Sequence, residues 1–85
     1  MQDNPIKWLR MRDIVQSRGR SRAAVYRDIQ NGLFPPPVHL GGSSSFWPAY
    51  EIAAIDHSRL AGANDEAIKK LVAELMETRK RGALS

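Results

Sequence analysis

Apolar residues recur along this chain mainly at helical spacing, and the places where that rhythm breaks divide it into elements. Met11, Ile14 and Val15 lie one helical turn apart and Gly19 then interrupts the run, which predicts a short helix from Met11 to about Ser17. Ser21 is a good N-cap, because its side-chain oxygen can accept from a free amide of the following turn. Behind it Ala23, Ala24, Val25, Tyr26 and Ile29 carry a second helix to the terminating pair Asn31-Gly32. Only about three residues separate the two helices, and so tight a connection forces them to cross at a large angle, as in a helix-turn-helix unit.

The next segment, Leu33-Phe34-Pro35-Pro36-Pro37, cannot be helical, since consecutive prolines lack amide donors and hold the chain extended. Val38-His39-Leu40 and Phe46-Trp47, joined by Gly41-Gly42-Ser43-Ser44-Ser45, read as two very short strands around a flexible turn, a small wing. Pro48 suits the first turn of a third helix, which Tyr50, Ile52, Ile55 and Leu60 continue to about Ala61 before Gly62 closes it. Asn64 can cap a last helix with Asp65 and Glu66 in its first turn and Arg79, Lys80 and Arg81 in its last, the signs that suit the helix dipole. Along it Ile68, Leu71, Val72, Leu75 and Met76 share a stripe, and Glu66–Lys70, Lys70–Glu74 and Glu77–Arg81 are spaced for i,i+4 pairing. The fold expected is mainly α with a small β-hairpin: a winged helix-turn-helix over residues 9–61, a partly disordered arm over 1–8, and an amphipathic helix over 62–85 that packs on the domain, the favoured reading, or forms an interface.

Composition narrows the chemistry. Eighty-five residues make one domain at most and leave little room for a deep catalytic pocket. With no cysteine, disulfides, thiolate nucleophiles and the common zinc knuckles are excluded, and two scattered histidines supply no metal-ligand spacing. Asp56 and His57 form no natural dyad, because adjacent helical residues point apart. No catalytic residue, metal site or cofactor is expected. The sequence opens on no signal-peptide-like run and nowhere holds about eighteen consecutive apolar residues, so a cytoplasmic chain without membrane contact is expected.

The net charge is +4, and its distribution says more than its sum. Residues 1–47 hold seven cations (Lys7, Arg10, Arg12, Arg18, Arg20, Arg22, Arg27) and three acids (Asp3, Asp13, Asp28), whereas residues 48–85 hold six of each. A one-sided basic excess suits a polyanion, since each cation set against a phosphate releases condensed counterions. In the second helix Val25 and Ile29 face the body, while Arg22, Ala23 and Arg27 point away. Small residues permit close approach to a groove, and either arginine can donate to guanine O6 and N7 or clamp a phosphate. Ser21 caps the helix or donates to a phosphate at its positive end. Arg10, Arg12, Arg18 and Arg20 are candidates for the sugar-phosphate backbone, and His39, Gly41, Gly42, Ser43, Ser44 and Ser45 for the wing. Trp8, Tyr26, Phe34, Phe46 and Trp47 are expected in the core rather than as stacking platforms for single strands or RNA.

Leu9-Arg10-Met11-Arg12-Asp13-Ile14-Val15, Gly19-x-Ser21-Arg22-x-x-Val25-Tyr26-Arg27-x-Ile29, Gly32-x-Phe34-Pro35-x-Pro37-Val38-x-Leu40-Gly41 and Trp47 together resemble the AlpA family of prophage regulatory proteins, over about residues 9–56. The resemblance implies a winged helix-turn-helix shared with phage excisionases, with the second helix in the major groove and the wing at the neighbouring minor groove or backbone. It also implies one of two jobs: activating transcription of a prophage integrase gene, or bending attachment-site DNA for excision. By position it assigns DNA contacts to Ser21, Arg22, Ala23 and Arg27 and the wing tip to Gly41 to Ser45. Two features depart from the pattern: Arg20 stands where relatives carry an apolar residue, and the wing tip lacks an arginine for a narrow minor groove. The partners implied are double-stranded DNA in a bacterial nucleoid and, through the last helix, integrase or further copies of the chain bound side by side. The rival readings are a module that recruits integrase through that helix and an RNA or single-strand binder.

Overall fold

The computed structural model describes residues 5–84, so the first half of the expected arm lies outside the described residues. The elements run β1 (Trp8–Arg10), α1 (Met11–Arg18), α2 (Arg22–Gln30), β2 (Val38–His39), β3 (Ser45–Pro48), α3 (Ala49–Leu60) and α4 (Asp65–Leu84), a mainly α chain with a small β-hairpin as predicted. Local chemistry sets the ends of the helices. Gly19 closes α1 at φ 65°, a left-handed conformation that costs glycine little, and its amide bonds the Val15 carbonyl at 2.9 Å. Asn64 Oδ1 accepts from the Ala67 amide at 2.9 Å at the start of α4.

The sheet contains a strand that the sequence pattern does not announce. Its order is β1-β3-β2, and Trp8, Leu9 and Arg10 pair antiparallel with Pro48, Trp47 and Phe46. The Ala49 amide extends the pairing by donating to the Lys7 carbonyl at 2.8 Å. Three residues are too few to display a period of two, and their partner is remote in sequence, so residues 8–10 read only as the junction between the arm and the first helix. Ser45, expected in the wing turn, opens β3 and pairs with His39.

Met11, Ile14, Val25, Phe34, Trp47 and Ile52 form the first core cluster, between α1, α2, α3 and the sheet. Trp47 is fully buried, its indole N–H donates to the Pro35 carbonyl at 2.8 Å, and its ring lies 6.1 Å from that of Phe34. The proline run therefore serves as an acceptor rail: it lacks donors but presents carbonyls to the body. A second cluster of Ile55, Ile68 and Val72, with Leu33, Leu71 and Leu75 at its margin, packs α4 on α3. That is the stripe read from the sequence. On α4 Glu66 pairs with Lys69 and Glu77 with Lys80, each at i,i+3 and 3.7 Å.

Among the described residues the one buried charged side chain is Glu51, 1% exposed. Arg79 grips it with Nε to Oε2 at 2.9 Å and Nη2 to Oε1 at 2.7 Å, and Nη2 also donates to the Pro36 carbonyl at 2.9 Å. One guanidinium thus ties α4 to α3 and to the proline run. Among the described residues no helix is long and apolar enough to cross a membrane.

Candidate nucleic-acid interface

Ser21 sits ahead of α2 with extended backbone, and its hydroxyl accepts from the Ala24 amide at 3.1 Å. The cap fixes where the helix begins and hence which residues its outer face presents. Successive residues turn by about 100°, so Val25 is buried, Ala24, Asp28 and Ile29 are partly buried beside it, and Arg22, Ala23, Tyr26, Arg27 and Gln30 are exposed on the opposite side. α4 does not cover this face.

Tyr26 corrects the sequence reading. It was expected in the core, but it is 43% exposed and lies on the same outer face as Ala23. The interior beneath α2 is already filled by Val25, Phe34 and Trp47, and Tyr26 stands one residue further round the helix than Val25. The i,i+4 series Arg22, Tyr26, Gln30 was the available signal for both Tyr26 and Gln30. Trp8 and Phe46 are only half-buried, meeting edge to face at 6.5 Å.

The structure sorts the arginines by what they already touch. Arg18 forms an ion pair with Asp56 of α3 and lies 5.1 Å from the centre of the Phe34 ring, so its charge is engaged within the protein. Arg20 reaches Asp28 at 3.2 Å. Arg10 lies 5.3 Å over the Phe46 ring while its amide bonds Asp13 at 2.8 Å. Among the described residues Arg12, Arg22 and Arg27 have no carboxylate partner, and all three are exposed. Asp13 and Asp28 answer neighbours within the protein, which leaves the outer face of α2 cationic.

The hairpin is carried on β3, and its tip, Gly41, Gly42, Ser43 and Ser44, is exposed. Gly41 and Gly42 have φ of 109° and 61°, a left-handed backbone that glycine adopts at little cost and that turns the chain sharply. His39 Nδ1 donates to the Ser44 carbonyl at 3.2 Å and closes the loop across its base. His57 is exposed, and its neighbour Asp56 is engaged by Arg18. Among the described residues no group of three His, Cys, Asp or Glu side chains is placed to hold a metal. A hollow of about 440 Å³ between β1 and α1 is lined by Lys7, Trp8, Leu9, Asp13, Gln16 and Ser17, none of them in α2.

The fold and the site thus define a short mainly α protein with two closely joined helices, an adjoining hairpin and an outward basic helix face. The family model described as Prophage CP4-57 regulatory protein (AlpA) matches residues 7–60, more than half of the chain. The chain belongs to the AlpA family of prophage regulatory proteins. It is also 38% identical over 56 residues to "Uncharacterized protein ORF88" of Enterobacteria phage P4, a match covering 66% of this chain and 64% of that protein. The chain therefore spans slightly less than two thirds of that relative's length. No solved structure matches it. The family match ends at the last residue of α3, so α4 lies outside it.

Proposed function

We propose that this chain binds double-stranded DNA by laying the outer face of α2 in the major groove, and that it regulates a prophage through that contact. The observation that carries this reading is the unneutralised pair Arg22 and Arg27 flanking small Ala23 on an exposed helix. Ala23 lets the helix axis approach the base edges. Arg22, in the first turn, donates in bidentate fashion to guanine O6 and N7, because residues near the start of such a helix reach deepest. Arg27 and Arg12 meet phosphates, and the wing tip adds amide and hydroxyl bonds to the backbone. In this reading residues 9–61 form the binding unit and α4 braces it.

Arg22→Ala is expected to weaken binding to the preferred duplex by about 1–3 kcal/mol and to relax preference at one base pair. Titration against single-base variants of that duplex measures both effects. Arg12→Ala and Arg27→Ala are expected to weaken all duplexes alike and to reduce the salt slope of log K by about one unit each. Arg18→Ala should leave that slope unchanged and lower stability instead, by about 1–2 kcal/mol, through loss of its ion pair and its stacking on Phe34.

Footprinting on the DNA flanking the gene tests the reading as a whole. Protection at a promoter supports an activator of an integrase gene; phased protection beside an attachment site supports an excisionase-type architectural role. Unprotected duplex, or capture of single strands or RNA in preference to it, overturns the groove model.

A further inference from the structure

We infer that Tyr26 is a specificity-determining residue that packs its ring against the C5 methyl group of a thymine, an assignment that rests on α2 being the helix in the groove. Tyr26 is 43% exposed. Among the described residues its ring joins no aromatic pair or cation contact and its hydroxyl makes no hydrogen bond, so its polar end and the open part of its ring are available to a partner. Long side chains on a helix lean back toward its N-terminus, over the residues three and four positions earlier. For Tyr26 those are Ala23 and Arg22, in the half of α2 that approaches base edges most closely.

Ala23 and Tyr26 together make a carbon surface in the middle of the face, with Arg22 on one flank and Arg27 on the other. The major-groove edges of base pairs offer donors, acceptors and one carbon-rich group, the thymine methyl. A carbon surface between two guanidinium groups is therefore complementary to a thymine beside hydrogen-bond acceptors. The ring supplies the selectivity, and the hydroxyl stays at the wet margin.

The test uses the full chain and the duplex it selects from a randomised pool. In that duplex each thymine is replaced singly by deoxyuridine, which removes the methyl group and leaves pairing intact. The wild-type chain is expected to lose about fourfold in affinity at one or two positions, the worth of one methyl withdrawn from contact. Tyr26→Ala should bind thymine and deoxyuridine duplexes equally, and Tyr26→Phe should keep the discrimination, both with unchanged melting temperature. A wild-type chain indifferent to every replacement, or a Tyr26→Ala variant that discriminates as before, overturns the assignment. So does a loss shared by Tyr26→Phe and Tyr26→Ala on all duplexes, which marks a hydroxyl-to-phosphate contact. If the duplex binds and Arg22→Ala behaves as proposed above, only the role of Tyr26 falls. If no duplex is selected, the groove reading falls with it.

Discussion

Arg79→Ala is expected to lower the unfolding free energy by about 3–5 kcal/mol, a large share of what a domain of this size has to lose. The reason is less the attraction removed than the charge left behind. Glu51 is 1% exposed, and both its oxygens are held by the same guanidinium. Without Arg79 the buried carboxylate loses its partner, and the α3–α4 contact must rearrange to solvate it. The Pro36 carbonyl loses its donor in the same step. Urea titration should show the midpoint falling with little change in slope. A paired replacement, Glu51→Met with Arg79→Met, should recover most of the loss, because two apolar side chains of similar volume avoid the desolvation of two charges. A single Arg79→Ala variant as stable as the wild type would show that the clamp adds little to the apolar contact of α4 with α3.

Trp47→Ala is expected to cost about 3–5 kcal/mol by a different route, the opening of a cavity that the surrounding side chains cannot close. Trp47 is fully buried against Phe34, and its indole N–H holds the Pro35 carbonyl at 2.8 Å. It joins the sheet to the segment leaving α2, so its loss slackens the seat of the proposed reading helix as well as the core. Trp47→Phe separates the two contributions. It fills much of the volume but leaves the Pro35 carbonyl without a donor, and a buried polar group so abandoned costs about 1–3 kcal/mol. Thermal melts of the two variants, run beside wild type, should therefore rank alanine well below phenylalanine.

How much of this was legible in advance depends on how far apart the cooperating residues lie. The helix ends were readable because Gly19, Ser21 and Asn64 act on amides and carbonyls a few residues away. The apolar stripe of α4 was readable because helical geometry repeats it, although the sequence left open whether it covers the domain or a partner; Ile68 and Val72 are buried against Ile55. Strand β1 was hidden, because nothing in Trp8-Leu9-Arg10 names Trp47 as the partner of Leu9. The Glu51–Arg79 clamp was hidden for the same reason: each residue alone looks like an ordinary helix-surface charge. The arginines show the limit most clearly, since all carry the same formal charge. Only the fold reveals that Asp56 occupies Arg18 and Asp28 occupies Arg20, while Arg22 and Arg27 have no carboxylate partner among the described residues. Tyr26 was misplaced because its aromatic character argued for the interior, whereas its position in the turn of the helix argued against.

The order of the sheet has a bearing on how the molecule comes together. Its middle strand, β3, is the last of the three to leave the ribosome, while the two strands it joins emerge earlier with nothing to zip onto. The paired helices α1 and α2 rest on short-range bonds and can begin to coil during translation, but Trp8, Leu9 and Arg10 must wait for residues 46–48 to appear. Closing that long circuit is the slower kind of event for a chain, so assembly is expected to start at α1 and α2 and to finish at the sheet on which they rest.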